Sequence, residues 1–414
     1  MGFEELRRRA EEALSRESPY GPPIDLSKYD LGNKLVTEAT PSLTIDEVVK
    51  LGSDAASRLG LSKDSLTEAS YVQLNEALLY RAVVEGLRRR GVVVMSVGEA
   101  LKRFKWVRKY YWGLMDVGTD KYTAAVELYG GGRGYFIYVP PGLKVKSPIY
   151  TCLLITSDRT AQLVHNIVIV DEGAELNLIT GCATARRVGG ALHIGVSEFY
   201  VGRGAKLTFA MIHAWGKGIH VRPRTAVRVG DGGEYVSYYV IYSDVRSIQQ
   251  YPKVFLGRDA RYYTASIIVG SGKSVYDVGA EAVLKGEGSS AEVISRVVGR
   301  DESEVVARAR IRGEARGTKG HIECLGLQLS PKARISSVPE LVSLNEDSRL
   351  THEAAIGRIA EEEIEYLMSR GFTEEEAKAL ILRGFMTVDV PGLPDATRRV
   401  IEQVTKMLSE GGGI

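Results

Sequence analysis

The sequence predicts a mainly β protein with flanking helices, a β-solenoid core between an N-terminal and a C-terminal helical domain. Two observations carry this. The hydrophobic period is helical at both ends of the 414-residue chain and switches to two over residues 118–345. Within that stretch one pattern, an apolar residue, a polar or glycine turn and a new strand, recurs at a step of about 28 residues. It stands at Val170–Ala174, Val201–Ala205, Val229–Gly233, Leu256–Ala260, Leu284–Gly288 and Ile311–Ala315. A fixed step of this size points to stacked units, each burying its apolar face only against its neighbours. Glycine turns also make hairpins, so a twisted sandwich of hairpins is the other arrangement the pattern allows.

The elements follow in chain order. In the first domain, residues 1–117, the spacing predicts an amphipathic helix over Glu4–Leu14, stopped by the breakers between Ser18 and Pro23. Thr44 and Glu47 have the form of a capping box that opens a second helix. Leu74, Leu78, Leu79, Val83 and Leu87 predict a third over Ser65–Arg90, with arginines in its last turn and Gly91 as its stop. In the core, Gly134–Pro140, His165–Val170 and Arg261–Val269 read as strands rich in β-branched and aromatic residues. In the last domain, residues 346–414, helices are predicted over Ala360–Ser369, from a Thr373–Glu376 capping box to Gly384, and over Pro394–Leu408. The first two of these form an αα-hairpin with an acidic rim.

Composition narrows the function. Lys and Arg number 54 against 52 Asp and Glu, a net charge of +2, which lacks the basic footprint of a nucleic-acid binder. No run of 18 apolar residues exists, so no membrane span is expected. Three widely spaced cysteines and a charged N-terminus without an apolar signal core point to free thiols and a cytoplasmic protein. Many Glu and Arg with few Asn and Gln suit a thermophilic source.

Two motifs are decoys. Gly272-Lys273-Ser274 imitates a phosphate loop, but position 267 is Ile where that loop needs Gly, and the following Val275 continues as strand. Gly286–Ala291 imitates a dinucleotide fingerprint and reads as a repeat turn. In an extended strand His321 and Cys324 face opposite ways and form no local ligand pair, and Cys324 shares the face of Ile322. Cys152 reads as core, and His165, His193, His213 and His220 as structural residues.

One set of stretches carries a resemblance. Val338–Leu341, Thr351–Ile359 (with His352-Glu353-Ala354), Tyr366–Gly371, Glu375-Glu376-Ala377 and Gly384-Phe385 form it downstream. Phe136–Pro140, Gly181-Cys182-Ala183 and Leu192-His193 extend it upstream. Together they resemble the SufB/SufD family of iron–sulfur cluster assembly scaffold proteins. The resemblance implies a right-handed parallel β-helix and an assembly scaffold rather than an enzyme, with ATP handled by a partner. That partner is a SufC-type ABC ATPase, docking on the hairpin at 360–385 through Tyr366, Arg370, Gly371, Glu375, Glu376 and Phe385. A paralogue or a second copy of the chain would complete a dimer, and a sulfur donor protein linked to a cysteine desulfurase would supply sulfur.

The resemblance also assigns candidate ligands. Cys324, followed 28 and 29 residues later by His352 and Glu353, matches SufB-type spacing and implies metal ligands for a transient iron–sulfur cluster. Stable clusters take four thiolates, so one chain is too poor in ligands and the site belongs at a dimer interface. His352 and Glu353 face opposite ways in a strand, so one of them meets Cys324. Cys182 is the expected sulfur acceptor, its thiolate favoured by a nearby cation, Arg186, Arg187 or Arg224. Two other readings are a SufD-like structural subunit without cluster ligands and a β-solenoid polysaccharide-active enzyme. The sequence leaves flavin binding open.

Overall fold

The computed structural model describes residues 2–32, 69–75, 77–83, 85–185, 188–242, 244–390 and 393–409. The strands are, in order, β1 (Ala69–Leu74), β2 (Ala77–Val83), β3 (Val93–Ser96), β4 (Tyr135–Val139), β5 (Ile149–Ile155), β6 (Ala161–Val170) and β7 (Glu175–Thr184). There follow β8 (Ala191–Val201), β9 (Lys206–Ala214), β10 (Ile219–Val221), β11 (Arg224–Val229), β12 (Glu234–Ile241), β13 (Ser247–Gln250) and β14 (Lys253–Leu256). The last are β15 (Arg261–Gly270), β16 (Val275–Leu284), β17 (Ser290–Gly299), β18 (Glu304–Gly313), β19 (Lys319–Gln328), β20 (Arg334–Ser343) and β21 (Arg349–Gly357). From β4 onward consecutive rungs alternate between two parallel sheets. One runs β2-β1-β5-β7-β9-β12-β15-β17-β19-β21; the other ends in β16, β18 and β20. This is the solenoid that the sequence step predicts. Registered residues lie 27 positions apart at Glu234 and Arg261 and 30 apart at Lys319 and Arg349.

The step is set by backbone chemistry at the turns. Gly173, Gly204, Gly232, Gly288 and Gly317 all have φ between 60 and 67°, the left-handed region that a residue with a Cβ rarely takes. Asp259, φ 53°, holds one such place, as Asp and Asn tolerate it best after glycine. A Cβ at Gly286 would come within 2.0 Å of the Arg258 backbone nitrogen, so the supposed dinucleotide fingerprint is glycine for rung stacking. Val275 opens β16 directly after Gly272-Lys273-Ser274, so no helix N-terminus faces that turn.

The helical reading of Ser65–Arg90 is corrected. β1 and β2 form an antiparallel hairpin there, and among the described residues of that stretch helix is confined to Glu85–Arg89. The reason is tertiary: β1 pairs in parallel with β5, matching Val72 to Cys152, and Tyr71 and Val72 are buried. Helix α1 (Phe3–Ala13) matches its expectation, whereas the Thr44 capping box lies outside the described residues. Strands β1 to β3 thus fall inside the segment expected to be helical, and β21 carries the solenoid past residue 345 to Gly357.

Helices seal the solenoid from both sides. Two further N-terminal helices, α2 (Glu85–Arg89) and α3 (Val97–Arg103), precede α4 (Lys121–Tyr129), whose N-terminus is closed by an Asp120–Thr123 capping box. Asp120 also accepts from Arg224 Nε at 2.8 Å, a buried ion pair tying α4 to β11. Glu198, fully buried on β8, accepts from the backbone N–H groups of Trp112, Leu114 and Met115 and pairs with His165 Nε2 at 2.8 Å. The loop before α4 is thereby fixed to the sheet. At the other end stand α5 (Glu361–Ser369), α6 (Glu374–Met386) and α7 (Asp395–Ser409). Leu382 and Met386 of α6 and Val400, Ile401, Val404 and Leu408 of α7 bury against Val236, Tyr238, Val240 and Ile267 on the outer face of the first sheet. Among the described residues no helix is long and apolar enough to cross a membrane.

Candidate functional site at the open end of the solenoid

The first sheet turns one face to the solenoid interior and one outward, and period two assigns each side chain to a face. On the inner face a row of registered residues runs Thr151, Thr180, Met211, Tyr239, Ser266, Ser295, Cys324, Ala354. Cys324 is buried, as its shared face with Ile322 predicts. Burial pushes its thiol pKa up, while the hydroxyls of Ser337 and Ser295 act in the opposite direction by hydrogen bonding. A single strand, β21, lies beyond it in this sheet, and among the described residues no further rung covers that strand.

His352 and Glu353 part company as expected. His352 is registered with the buried Ile322 and so lies on the face of Cys324. Glu353 is registered with Glu323 on the outer face. There it joins His321 and Glu323, and one ligand atom from each of the three lies within 4.8 Å of the others. His321 Nδ1 is fixed by Thr351 Oγ1 at 2.8 Å, which leaves Nε2 to take a ligand. Arg296 pairs with one oxygen of Glu323 and holds that side chain outward. A histidine with two carboxylates is a donor set for divalent iron. His321 and Glu323 were missed by the sequence reading, although period two and the 30-residue step together would have found them.

Cys182 sits deeper. Its Sγ lies 3.8 Å from Met211 Sδ, and it is registered with His213 on the neighbouring strand. Trp215 Nε1–H donates to His213 Nδ1, so His213 Nε2–H donates to the Tyr239 hydroxyl and the imidazole is neutral. Burial pushes the Cys182 thiol well up, reinforced by Cys152, and holds His213 well below its ordinary value. Cys152, on the opposite face among apolar residues, is raised to about 12 by burial, as a core residue should be. Arg224 is committed to Asp120 and is not brought to Cys182; Arg186 and Arg187 lie outside the described residues. His165, His193 and His220 are hydrogen-bonded to Glu198, Gln162 and Ser247.

The C-terminal hairpin divides its residues. Tyr366, Met368 and Phe372 are exposed, with the Arg370 guanidinium 5.2 Å over the Tyr366 ring. Gly371 makes the turn at φ 98°, and Glu376 closes a capping box with Thr373. Glu375 is exposed, whereas Phe385 packs against the apolar core.

Comparison with known proteins gives one answer. The family model "SUF system FeS cluster assembly, SufBD core domain" matches residues 153–385. An iron-sulfur cluster assembly SufBD family protein of Methanothermobacter thermautotrophicus (strain Delta H) is 39% identical over 412 residues, 96% of this chain and 98% of the relative. One from Archaeoglobus fulgidus is 44% identical over 317 residues, 77% of this chain and 85% of the relative. The iron-sulfur cluster assembly protein SufB of Bacillus subtilis is 28% identical over 344 residues, 82% of this chain and 73% of its own length. A polysaccharide-active solenoid enzyme is thereby set aside.

Proposed function

The chain belongs to the SufBD family of iron–sulfur cluster assembly proteins, a family of scaffolds rather than enzymes, and from that premise we propose how it works. It receives sulfur at Cys182 from a donor protein served by a cysteine desulfurase. A cluster is built at Cys324 at the open end of the solenoid, with His352, which shares its face, as a further ligand, while Glu353 lies on the opposite face. The observation that carries this is the position of Cys324, a thiol facing the interior one strand from an uncovered sheet edge. Five strand spacings, roughly 24 Å, separate Cys182 from Cys324. The intervening Met211, Tyr239, Ser266 and Ser295 form a row of sulfur and hydroxyl groups through an otherwise apolar interior. The raised thiol pKa of Cys182 requires its activation to come from the donor, since the thiolate is the reactive form.

The edges of β20 and β21 support a dimer. Val338, Leu344 and Ile356 are exposed there, and an uncovered strand edge with apolar side chains favours pairing with another chain. A second copy or a paralogue supplies the ligands that one chain lacks. ATP is handled by a SufC-type ATPase docked on the hairpin through Tyr366, Arg370, Gly371 and Glu375, beside Met368 and Phe372. Phe385 supports this surface from within, and the exposed Glu376 caps its second helix through Thr373.

Anaerobic incubation of the complex with ferrous iron and sulfide tests the scaffold. Cys324→Ala is expected to hold at least about tenfold less visible-absorbing cluster, and undiminished absorption would overturn the assignment. Tyr366→Ala with Met368→Ala is expected to abolish co-purification of the ATPase without lowering the melting temperature. The second reading, a SufD-like structural subunit, predicts that the isolated homodimer loads no cluster at all.

A further inference from the structure

Beside the His321–Glu323–Glu353 trio, the outer face of the first sheet forms a groove of about 710 Å³. Arg261, Lys319 and Arg349 line it in register, with Ser290 between the first two. Among the described residues none of these three cations makes an ion pair. Lys206, also in the groove, is neutralised by Glu234 at 2.6 Å, and Glu292 is the other acid of the lining. His321 belongs to both the groove and the trio, and Thr351, which lines the groove, holds its Nδ1, so the two are continuous.

Three cations without an ion-pair partner call for an anion, although Glu346 and Asp347 stand near two of them, whereas a histidine with two carboxylates, of which Arg296 pairs only one, calls for a cation. One ligand satisfies both: a divalent metal ion carried by a small polycarboxylate, anionic overall. We propose that ferrous iron reaches the scaffold in this form. The carrier's carboxylates dock on Arg261, Lys319 and Arg349, and the ion passes to His321, Glu323 and Glu353. The transfer is a ligand exchange. Iron remains in the +2 state, carboxylate oxygens of the carrier leave, and His321 Nε2 and the two glutamate carboxylates replace them. The proposal rests on the scaffold reading and adds to it a separate station for iron. Metal arrives on the outer face of β19 and β21, while the Cys324 thiol waits on the inner face of the same strand pair.

The test uses the intact chain, purified anaerobically and free of sulfide, with ferrous citrate and the free ferrous ion as probes. Wild type is expected to retain about one iron per chain after gel filtration from either probe. His321→Ala should weaken uptake of both by about tenfold or more. Lys319→Ala combined with Arg349→Ala should weaken uptake from citrate alone, by about fivefold, and leave the free ion unaffected. Cobalt(II) in place of iron should give visible d–d bands without a thiolate charge-transfer band, and His321→Ala should lose them while its melting temperature stays at the wild-type value. Wild-type uptake by His321→Ala, or a thiolate band in wild type, would overturn the iron station. Equal citrate uptake by the Lys319/Arg349 variant would overturn the carrier. A chain that binds iron as described yet builds no cluster with sulfide would instead sink the scaffold reading.

Discussion

The early and the last rungs of the solenoid are built from one repeat but meet solvent in opposite ways. β6 and β8 are buried along their whole length, whereas β20 alternates between half-buried and exposed and β21 is exposed almost throughout. The early rungs have neighbours above and below, the 105–129 segment on one outer face and α6 and α7 on the other. The last rungs have a neighbour on one side only. Where a rung stands in the stack therefore decides what its side chains can do. Cys182 in the closed part is a thiol raised well above its ordinary range. Cys324, near the open end, has two hydroxyls working against that rise and an edge strand beside it. Burial buys stability for the first region, and incompleteness leaves the second free to bind.

Substitutions in the closed rungs should cost far more than substitutions in the open ones. Phe199→Ala removes a fully buried ring that packs on Phe209 at 5.0 Å between centroids, and should cost about 3–5 kcal/mol in urea unfolding. A loss below about 1 kcal/mol would mean that the closed rungs are not the stable unit. Asp120→Asn leaves Arg224 buried without its countercharge and should cost about 3 kcal/mol, with α4 loosening first in hydrogen exchange.

Acid should act on the closed region next. Burial lowers His193 to about 3, below the ordinary histidine value near 6.5. The unfolded chain therefore takes up the proton that the folded chain refuses. The stability from this residue is whole above about pH 6.5 and is lost progressively as pH falls toward 3, by about 3 kcal/mol at pH 4. His193→Gln keeps a hydrogen-bonding side chain and should flatten this acid limb by about one proton. An unchanged slope in denaturation against pH would show that His193 is not buried as a neutral base. Smallest of all, Leu344→Ser at the open end should change monomer stability by no more than about 0.5 kcal/mol, because its side chain is exposed. A larger drop that depends on protein concentration would instead reveal that Leu344 is covered by a second chain.

Much of this arrangement was legible before any coordinates. Turns that need a positive φ favour glycine or Asp, so the stacking leaves a periodic mark at Gly173, Gly204, Gly232 and Asp259. Period two likewise separated His352 from Glu353 correctly, because a strand's alternation is local geometry. Ser65–Arg90 was misread for the complementary reason. Leu74, Leu78 and Leu79 stand at helical spacing, and the pairing of β1 with β5 that overrides it comes from residues far along the chain. The His321–Glu323–Glu353 trio is not legible within one strand, because Glu353 comes from β21, stacked on the β19 that carries His321 and Glu323.

The repeat step, the face each residue of a strand occupies and the resemblance to the family are written in the sequence, which points to a solenoid while still allowing a sandwich of hairpins. All of these follow from local backbone preference and from the order of residues. Only the tertiary structure decided which rungs are closed and which lie open, that Arg224 serves Asp120 and not Cys182, and that Glu353 joins His321 and Glu323. Those outcomes depend on what packs above, below and outside each rung, and distances between residues remote in the chain exist only once the rungs are stacked.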